Sequence, residues 1–229
     1  MKRCIAVYLG EIEYTNAWEI QKRMHHQVAG GLLPNLLLLL EHPHVYTLGR
    51  RGKPSDILAS PEKLSDLGVR VHYVDRGGEV TYHGPGQLVA YPIVNLRTWP
   101  GGPLKYIRAL ETTITTTLSK FGIDSQASEK PTGVWVGEAK ISSIGVKISR
   151  GVTMHGLALN VSPDLSYFDH IVPCGMSKTQ ATSMACLLKK EIHVEEVITA
   201  VAHKFELSFD WEIEWGTLDD LEQISSAQE

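Results

Sequence analysis

The chain lacks the features that mark several large protein classes. It has no basic excess: 22 Lys and Arg stand against 26 Asp and Glu, for a formal net charge of -4. Chains that grip nucleic acid carry the opposite balance, so no nucleic-acid partner is expected, although Arg50, Arg51 and Lys53 form a local basic patch. It has no long apolar run. Leu36 to Leu40 is the strongest, whereas a helical membrane span needs ~20 residues, so no membrane partner is expected. The residues after Met1-Lys2-Arg3 are apolar only over Cys4 to Leu9, with no small-residue cleavage site, which reads as a first core strand and not a signal peptide. Cysteine is scarce: Cys4, Cys174 and Cys186. An odd count at wide spacing argues against a disulfide framework, and the lack of a Cys-x-x-Cys pair argues against a thiolate zinc site. The expected setting is a reducing cytoplasm, where a thiol works as a thiol. His42-Pro43-His44 offers imidazoles but no third ligand, so no metal is expected.

Repeats, low-complexity tracts and Pro/Gly/Ser linkers are also missing, and 229 residues suit one large domain. Residues 1–229 are therefore read as a single catalytic-sized domain, with a polar, acidic tail expected to fray from about Gly216. Strands are predicted over 4–9, Leu36–Glu41, Val69–Val74, Gln87–Val94, Gly133–Val136, Ala139–Ile148 and Val152–Val161. Gly137-Glu138 and Ser149-Arg150-Gly151 are the turns of two hairpins. Helices are predicted over Tyr14–Ala29, stopped by Gly30-Gly31, and over Pro61–Leu67, Pro103–Phe121, Thr179–Leu188 and Val194–Leu207. In the Pro103 helix Leu104, Ile107, Leu110, Ile114 and Leu118 keep helical spacing, while its threonines weaken the intrinsic propensity. Antiparallel hairpins interrupted by helices define an α+β layer fold with mixed, largely antiparallel sheets flanked by helices.

Three segments carry candidate chemistry. Arg76-Gly77-Gly78-Glu79-Val80-Thr81-Tyr82-His83-Gly84-Pro85-Gly86-Gln87 holds four glycines, which let backbone approach a ligand closely. It lacks the Gly-x-Gly-x-x-Gly and Gly-Lys-Ser/Thr patterns of nucleotide loops. A phosphate, a carbonyl or an apolar chain would suit it. Ile171-Val172-Pro173-Cys174-Gly175 places a cysteine in a loop ahead of a predicted helix, where a thiol pKa falls. Cys4 and Cys186 read as ordinary buried thiols, slow to alkylate. Lys140, among small and apolar neighbours, reads by itself as a solvated strand lysine. His83 is a candidate for a catalytic or positioning role, and His155 for a satisfied histidine supporting the loop.

Taken together these segments resemble the lipoyl(octanoyl) transferase family. The match is Arg-Gly-Gly-x-x-Thr-Tyr-His-x-x-Gly-Gln-x-x-x-Tyr from Arg76 to Tyr91, then Lys140 with Ser143-Ile144-Gly145, then His155-Gly156-Leu157-Ala158-Leu159-Asn160, then Pro173-Cys174-Gly175. It runs in the family's order from about His42 to Leu187. The resemblance implies a biotin/lipoate ligase-like catalytic domain that moves octanoyl from acyl carrier protein to a lysine of a lipoyl domain. The acceptors it implies are the 2-oxo-acid dehydrogenases and the glycine-cleavage H protein. Cys174 would carry the acyl thioester and Lys140 would lower its pKa. Arg76, Gly77, Gly78, Glu79, Val80, Thr81, Tyr82, His83, Ser143, Ile144, Gly145, Gly156, Leu157 and Ala158 would line the acyl channel. No cofactor is implied. The alternative on the same fold is an ATP-dependent lipoate or biotin protein ligase, which needs no cysteine; Pro173-Cys174-Gly175 favours transfer.

Overall fold

The computed structural model describes residues 2–129, 132–172 and 180–227. Cys174 lies outside the described residues, as do Pro173 and Gly175.

The run Leu36–Leu40 explains the architecture. It forms β2 (Asn35–Glu41), every leucine of which is fully buried. Successive side chains of a strand point to opposite faces, so Leu37 and Leu39 enter one core and Leu36, Leu38 and Leu40 another. A continuous apolar strand is what a sheet covered on both faces requires. β1 (Lys2–Glu11) runs parallel to β2, and β6 (Gln87–Ile93) pairs antiparallel on its other side. Beyond β6 come β10 (Val152–Asn160), β9 (Ala139–Ser149), β8 (Thr132–Val136) and β7 (Gln126–Glu129), all antiparallel. β12 (Trp211–Trp215) closes the opposite edge, parallel to β1. With β11 (Gln180–Ala181) paired to β9, nine strands make this mixed sheet among the described residues. β3 (Val45–Leu48), β4 (Arg70–Tyr73) and β5 (Val80–His83) form a second, three-stranded sheet in the order β4-β3-β5.

α3 (Gly102–Lys120) and α5 (Val194–Phe209) cover one face of the large sheet. α1 (Tyr14–Gly30) and α6 (Leu218–Ser226) cover the other. α3 buries Leu110, Ile114 and Leu118 as the spacing requires, but Leu104 is 71% exposed. Its buried threonines bond back one turn, Thr113 Oγ1 to Ala109 O at 2.8 Å and Thr117 Oγ1 to Thr113 O at 2.7 Å, which meets their polarity inside the helix. No helix among the described residues is long and apolar enough to cross a membrane.

Three expectations are corrected. The tail from Gly216 is structured: α6 is capped by Thr217 and Asp220 and inserts Leu221 fully into the core. The helix expected over Thr179–Leu188 shrinks to α4 (Met184–Leu188), because Ser183 caps Cys186 N and Gln180–Ala181 is a strand; Thr179 lies outside the described residues. Cys186 is exposed, so slow alkylation is not expected of it. Cys4 is fully buried and its thiol is pushed well above the ordinary range by burial.

One contact fixes the spacing of the central strands. A Cβ built on Gly156 would lie 2.1 Å from Ala90 O and 2.7 Å from Pro92 Cδ. That backbone cannot yield without breaking the β10–β6 ladder. Gly156→Ala should cost upwards of ~2 kcal/mol, the range of overpacked cores, read as a lower urea midpoint at unchanged slope. An unaltered midpoint would show that the two strands are free to separate.

Candidate active site

A cavity of about 690 Å³ opens between the two sheets. Its walls are the glycine loop with β5, the middle of β9 and β10, and the start of α3. Of the residues expected to line a channel, Arg76, Gly77, Gly78, Glu79, Val80, Thr81, His83, Ser143, Ile144, Gly145, Gly156, Leu157 and Ala158 do so, and Lys140 joins them. The segments meet because β9 and β10 pair in register, Gly145 with Gly156 and Ser143 with Ala158. The loop closes over them where Gly77 N donates to Val146 O at 2.9 Å. A Cβ on Gly145 would lie 2.9 Å from Gly77 O, and one on Gly49 would lie 2.5 Å from Gly78 O. These glycines are spacers for backbone packed on backbone.

Arg76 is a clamp. It is buried, and its guanidinium donates through Nη2 to Thr47 O at 2.6 Å, through Nη1 to Gly77 O at 2.9 Å and through Nη2 to Glu79 O at 2.9 Å. The cation shapes the loop by satisfying its carbonyls.

Tyr82 is the exception among the expected lining residues: it is absent from the cavity wall. Thr81 and His83 face the cavity, Val80 touches both the cavity and the small sheet's core, and Tyr82 lies in that core with Tyr46, off the cavity wall. Its ring stacks on Tyr167 at 5.0 Å and its hydroxyl meets His44 Nδ1 at 2.8 Å. Tyr46 donates to Tyr167 O at 2.6 Å. Tyr82 therefore anchors the 3-10 turn Leu165–His170, which leads through Ile171 and Val172 to the segment containing Cys174. His44 belongs to this stack, at 4.2 Å from Tyr167.

A buried polar chain begins at His83. His83 Nδ1 donates to Gln87 Oε1 at 2.7 Å, Gln87 Nε2 to Asn160 Oδ1 at 2.9 Å, and Asn160 Nδ2 to Thr182 O at 3.0 Å. Thr182 N then donates to Lys140 O at 3.0 Å, and β11 lies beside β9 with Ala181 registered to Lys140. The strand that leaves the Cys174 segment is thus fixed against the strand that carries Lys140.

Lys140 is buried at 8% exposure, with Nζ 5.5 Å from the centre of the Trp135 ring. Gly133, at φ 146°, makes room for it: a Cβ there would sit 2.6 Å from Lys140 Cε.

Neutral rings gather at the other end of the cavity. His42 donates through Nδ1 to Ile12 O at 2.7 Å and meets Tyr91 OH through Nε2 at 2.8 Å. Burial lowers its pKa to about 4, against partial support from the Ile12 bond. Burial likewise holds His83 well below the imidazole range. His155 faces Asp75, Nε2 to Oδ1 at 2.8 Å, and Lys147 holds the other carboxylate oxygen at 2.6 Å. The His155 and Lys147 bonds hold the Asp75 pKa down, while burial keeps that of His155 low. His155 supports the loop through Asp75, as its sequence context suggested, but it is not the satisfied histidine expected, because its buried Nδ1 has no hydrogen-bond partner among the described residues. Sequence reasoning missed Tyr14, Tyr91, Ile107 and Thr132 on the cavity wall; they stand on separate elements and only the tertiary fold joins them.

A concave, mostly apolar chamber with a buried amine in its wall and uncharged rings beside it has the shape and lining of a small-molecule site suited to an apolar chain. The lipoyl protein ligase A/B catalytic domain matches residues 13–206, and the chain belongs to that family. An octanoyltransferase of Solibacter usitatus is 49% identical over 93% of this chain and 96% of its own length. One of Chloroflexus aggregans is 51% identical over 85% of this chain and 90% of its own. Relatives so similar place the chain among the family's acyltransferases. A bi-partite lipoate protein ligase of Thermoplasma acidophilum shares the fold at a TM-score of 0.75 and 15% identity, covering 99% of this chain and 92% of that one.

The histidines give the site a pH signature. His42 titrates near 4 in the folded protein and near 6.5 once unfolded. The unfolded chain therefore binds the proton first as pH falls, so stability present above pH 6.5 drains between 6.5 and 4. His83 acts in the same sense. Each contributes a slope of up to ~1.4 kcal/mol per pH unit. Urea stability should fall across that window, and His42→Gln should flatten the fall. A wild-type profile level from pH 6.5 to 4.5 would contradict the neutral assignment.

Proposed function

We propose that this chain transfers an octanoyl group from the phosphopantetheine thioester of acyl carrier protein to a lysine of an apo lipoyl domain. A covalent thioester on Cys174 is the intermediate. The observation that carries this reading is the cavity itself: the family's signature segments line a chamber with Lys140 buried in its wall. The octanoyltransferase relatives support the same reaction. The proposed acceptors are the lipoyl domains of 2-oxo-acid dehydrogenases and the glycine-cleavage H protein, and the proposed setting is the cytoplasm.

The chemistry runs in two exchanges. The Cys174 thiolate attacks the carrier thioester carbonyl, and the phosphopantetheine sulfur leaves as its thiol with a proton from the Lys140 ammonium, which becomes the amine. The acceptor lysine amine then attacks the enzyme thioester, its extra proton passes to Lys140 as the amine, and the Cys174 thiolate leaves. A free thiol of pKa ~8.5 is only a few per cent ionised at neutral pH, and an ammonium neighbour favours the thiolate. Support for that pairing comes from the downstream flank of the segment, where Ala181 is registered to Lys140. Cys174 precedes Gln180 by six positions, a tether of at most ~20 Å.

Intact mass after mixing with octanoyl carrier protein should rise by one octanoyl group in the wild type and not at all in Cys174→Ala, which should also lose transfer. Transfer should proceed with ATP omitted; an absolute ATP requirement would instead make the chain a ligase. In a Cys186→Ser background, Lys140→Ala should slow iodoacetamide alkylation of Cys174 about tenfold near neutral pH, the effect of roughly one pKa unit. An unchanged rate would remove Lys140 from its role.

A further inference from the structure

We propose that Tyr14 is the specificity-determining floor of the cavity, the ring against which the methyl end of the acyl chain is measured. The inference rests on the acyl-transfer reading above.

The direction of the cavity follows from register. His155 pairs with Val146 on β9, while Lys140 lies six positions earlier on the same strand. At ~3.3 Å per residue the two ends are about 20 Å apart. An extended eight-carbon chain spans roughly 10 Å, and the reacting thioester with its Lys140 side chain takes up part of the rest. The acyl tail therefore points toward the rings gathered near His155, which line the part of the wall that longer chains would approach.

Tyr14 is the member of that group supplied by another layer. It comes from the first turn of α1, lines the cavity, and is 2% exposed. Leu104, at 71% exposure, marks the open end.

A ruler must be stiff, and Tyr14 is held on every side. Its ring stacks on His72 at 5.5 Å and 17°, and on His83 at 6.2 Å and 15°. It also rests on His42 at 5.1 Å. The backbone before it is pinned twice: Ile12 N donates to Glu41 O at 3.0 Å, and Ile12 O accepts from His42 Nδ1 at 2.7 Å. His83 and His42 each spend a ring nitrogen on partners behind the wall, Gln87 and Ile12. They cannot move without leaving a buried polar group unpaired. A longer chain therefore meets an unyielding surface.

The test is a series of acyl carrier protein thioesters of six to fourteen carbons, with transfer to a lipoyl domain measured as kcat/KM. The wild type should drop about tenfold or more once the chain outgrows the floor, the usual penalty for a methylene too many. Tyr14→Ala should move that drop to longer chains, raising the ratio of twelve- to eight-carbon transfer by about tenfold. Tyr14→Phe should keep the wild-type ratio. If Tyr14→Ala does not fold, Tyr14→Trp decides, since the larger ring should shift the preference to six carbons. Variants that lose rate equally at every length overturn the floor while leaving the transfer reading intact. A wild type that transfers no octanoyl removes both.

Discussion

The structure depends on a cation used as glue for backbone. A loop with four glycines between Arg76 and Gly86 has little reason to hold one shape. Arg76 gives it one by donating to Thr47 O and to the carbonyls of Gly77 and Glu79 from a buried position. With the loop fixed, Gly77 can dock on Val146 O and the cavity gains its roof. Without side chains at Gly49 and Gly145, that roof sits closer to its supports than any Cβ permits.

A second set of bonds ties this roof to the reacting end. The chain His83, Gln87, Asn160, Thr182 crosses the sheet under the cavity and ends on the backbone of Lys140. On the other flank, Tyr82 and Tyr46 grip Tyr167 ahead of Ile171 and Val172. Tyr82, Gln87 and Asn160, signature residues off the cavity wall, thus help hold the two described ends between which Cys174 lies. The arrangement uses rigid elements to aim a loop, the usual division of labour between scaffold and chemistry.

Much of this was legible in the sequence, for local reasons. The leucine run of β2, the hairpin turns at Gly137 and Gly151, and the spacing of α3 each report a periodicity or a turn that neighbours alone decide. The lining glycines were legible through the family resemblance; the four in one loop by themselves fitted either a close backbone approach or ordinary turns. Other features were not. Val80–His83 is a strand only because β3 offers it a partner, Val45 with His83 through Leu48 with Val80. Tyr82 follows Thr81 in the signature, yet the alternation of that strand sends it into the small core and away from the cavity. Cys186 looked like an inner thiol among apolar residues, but α4 is too short to cover it. The tail was judged by polarity, and the one side chain that decides its fate, Leu221, is a single letter among charges.

The pairing of β12 with β1 has a consequence for how the protein is made. Lys2 is registered to Trp211 and Ala6 to Trp215, so β1 is completed on one side by a strand about 200 positions later in the chain. Synthesis proceeds from the N-terminus. Throughout translation β1 therefore offers a bare hydrogen-bonding edge, which invites pairing with other nascent chains. Newly emerging copies carry that open edge until β12 leaves the ribosome. Removal of Trp211–Trp215 would leave every finished molecule permanently in that state.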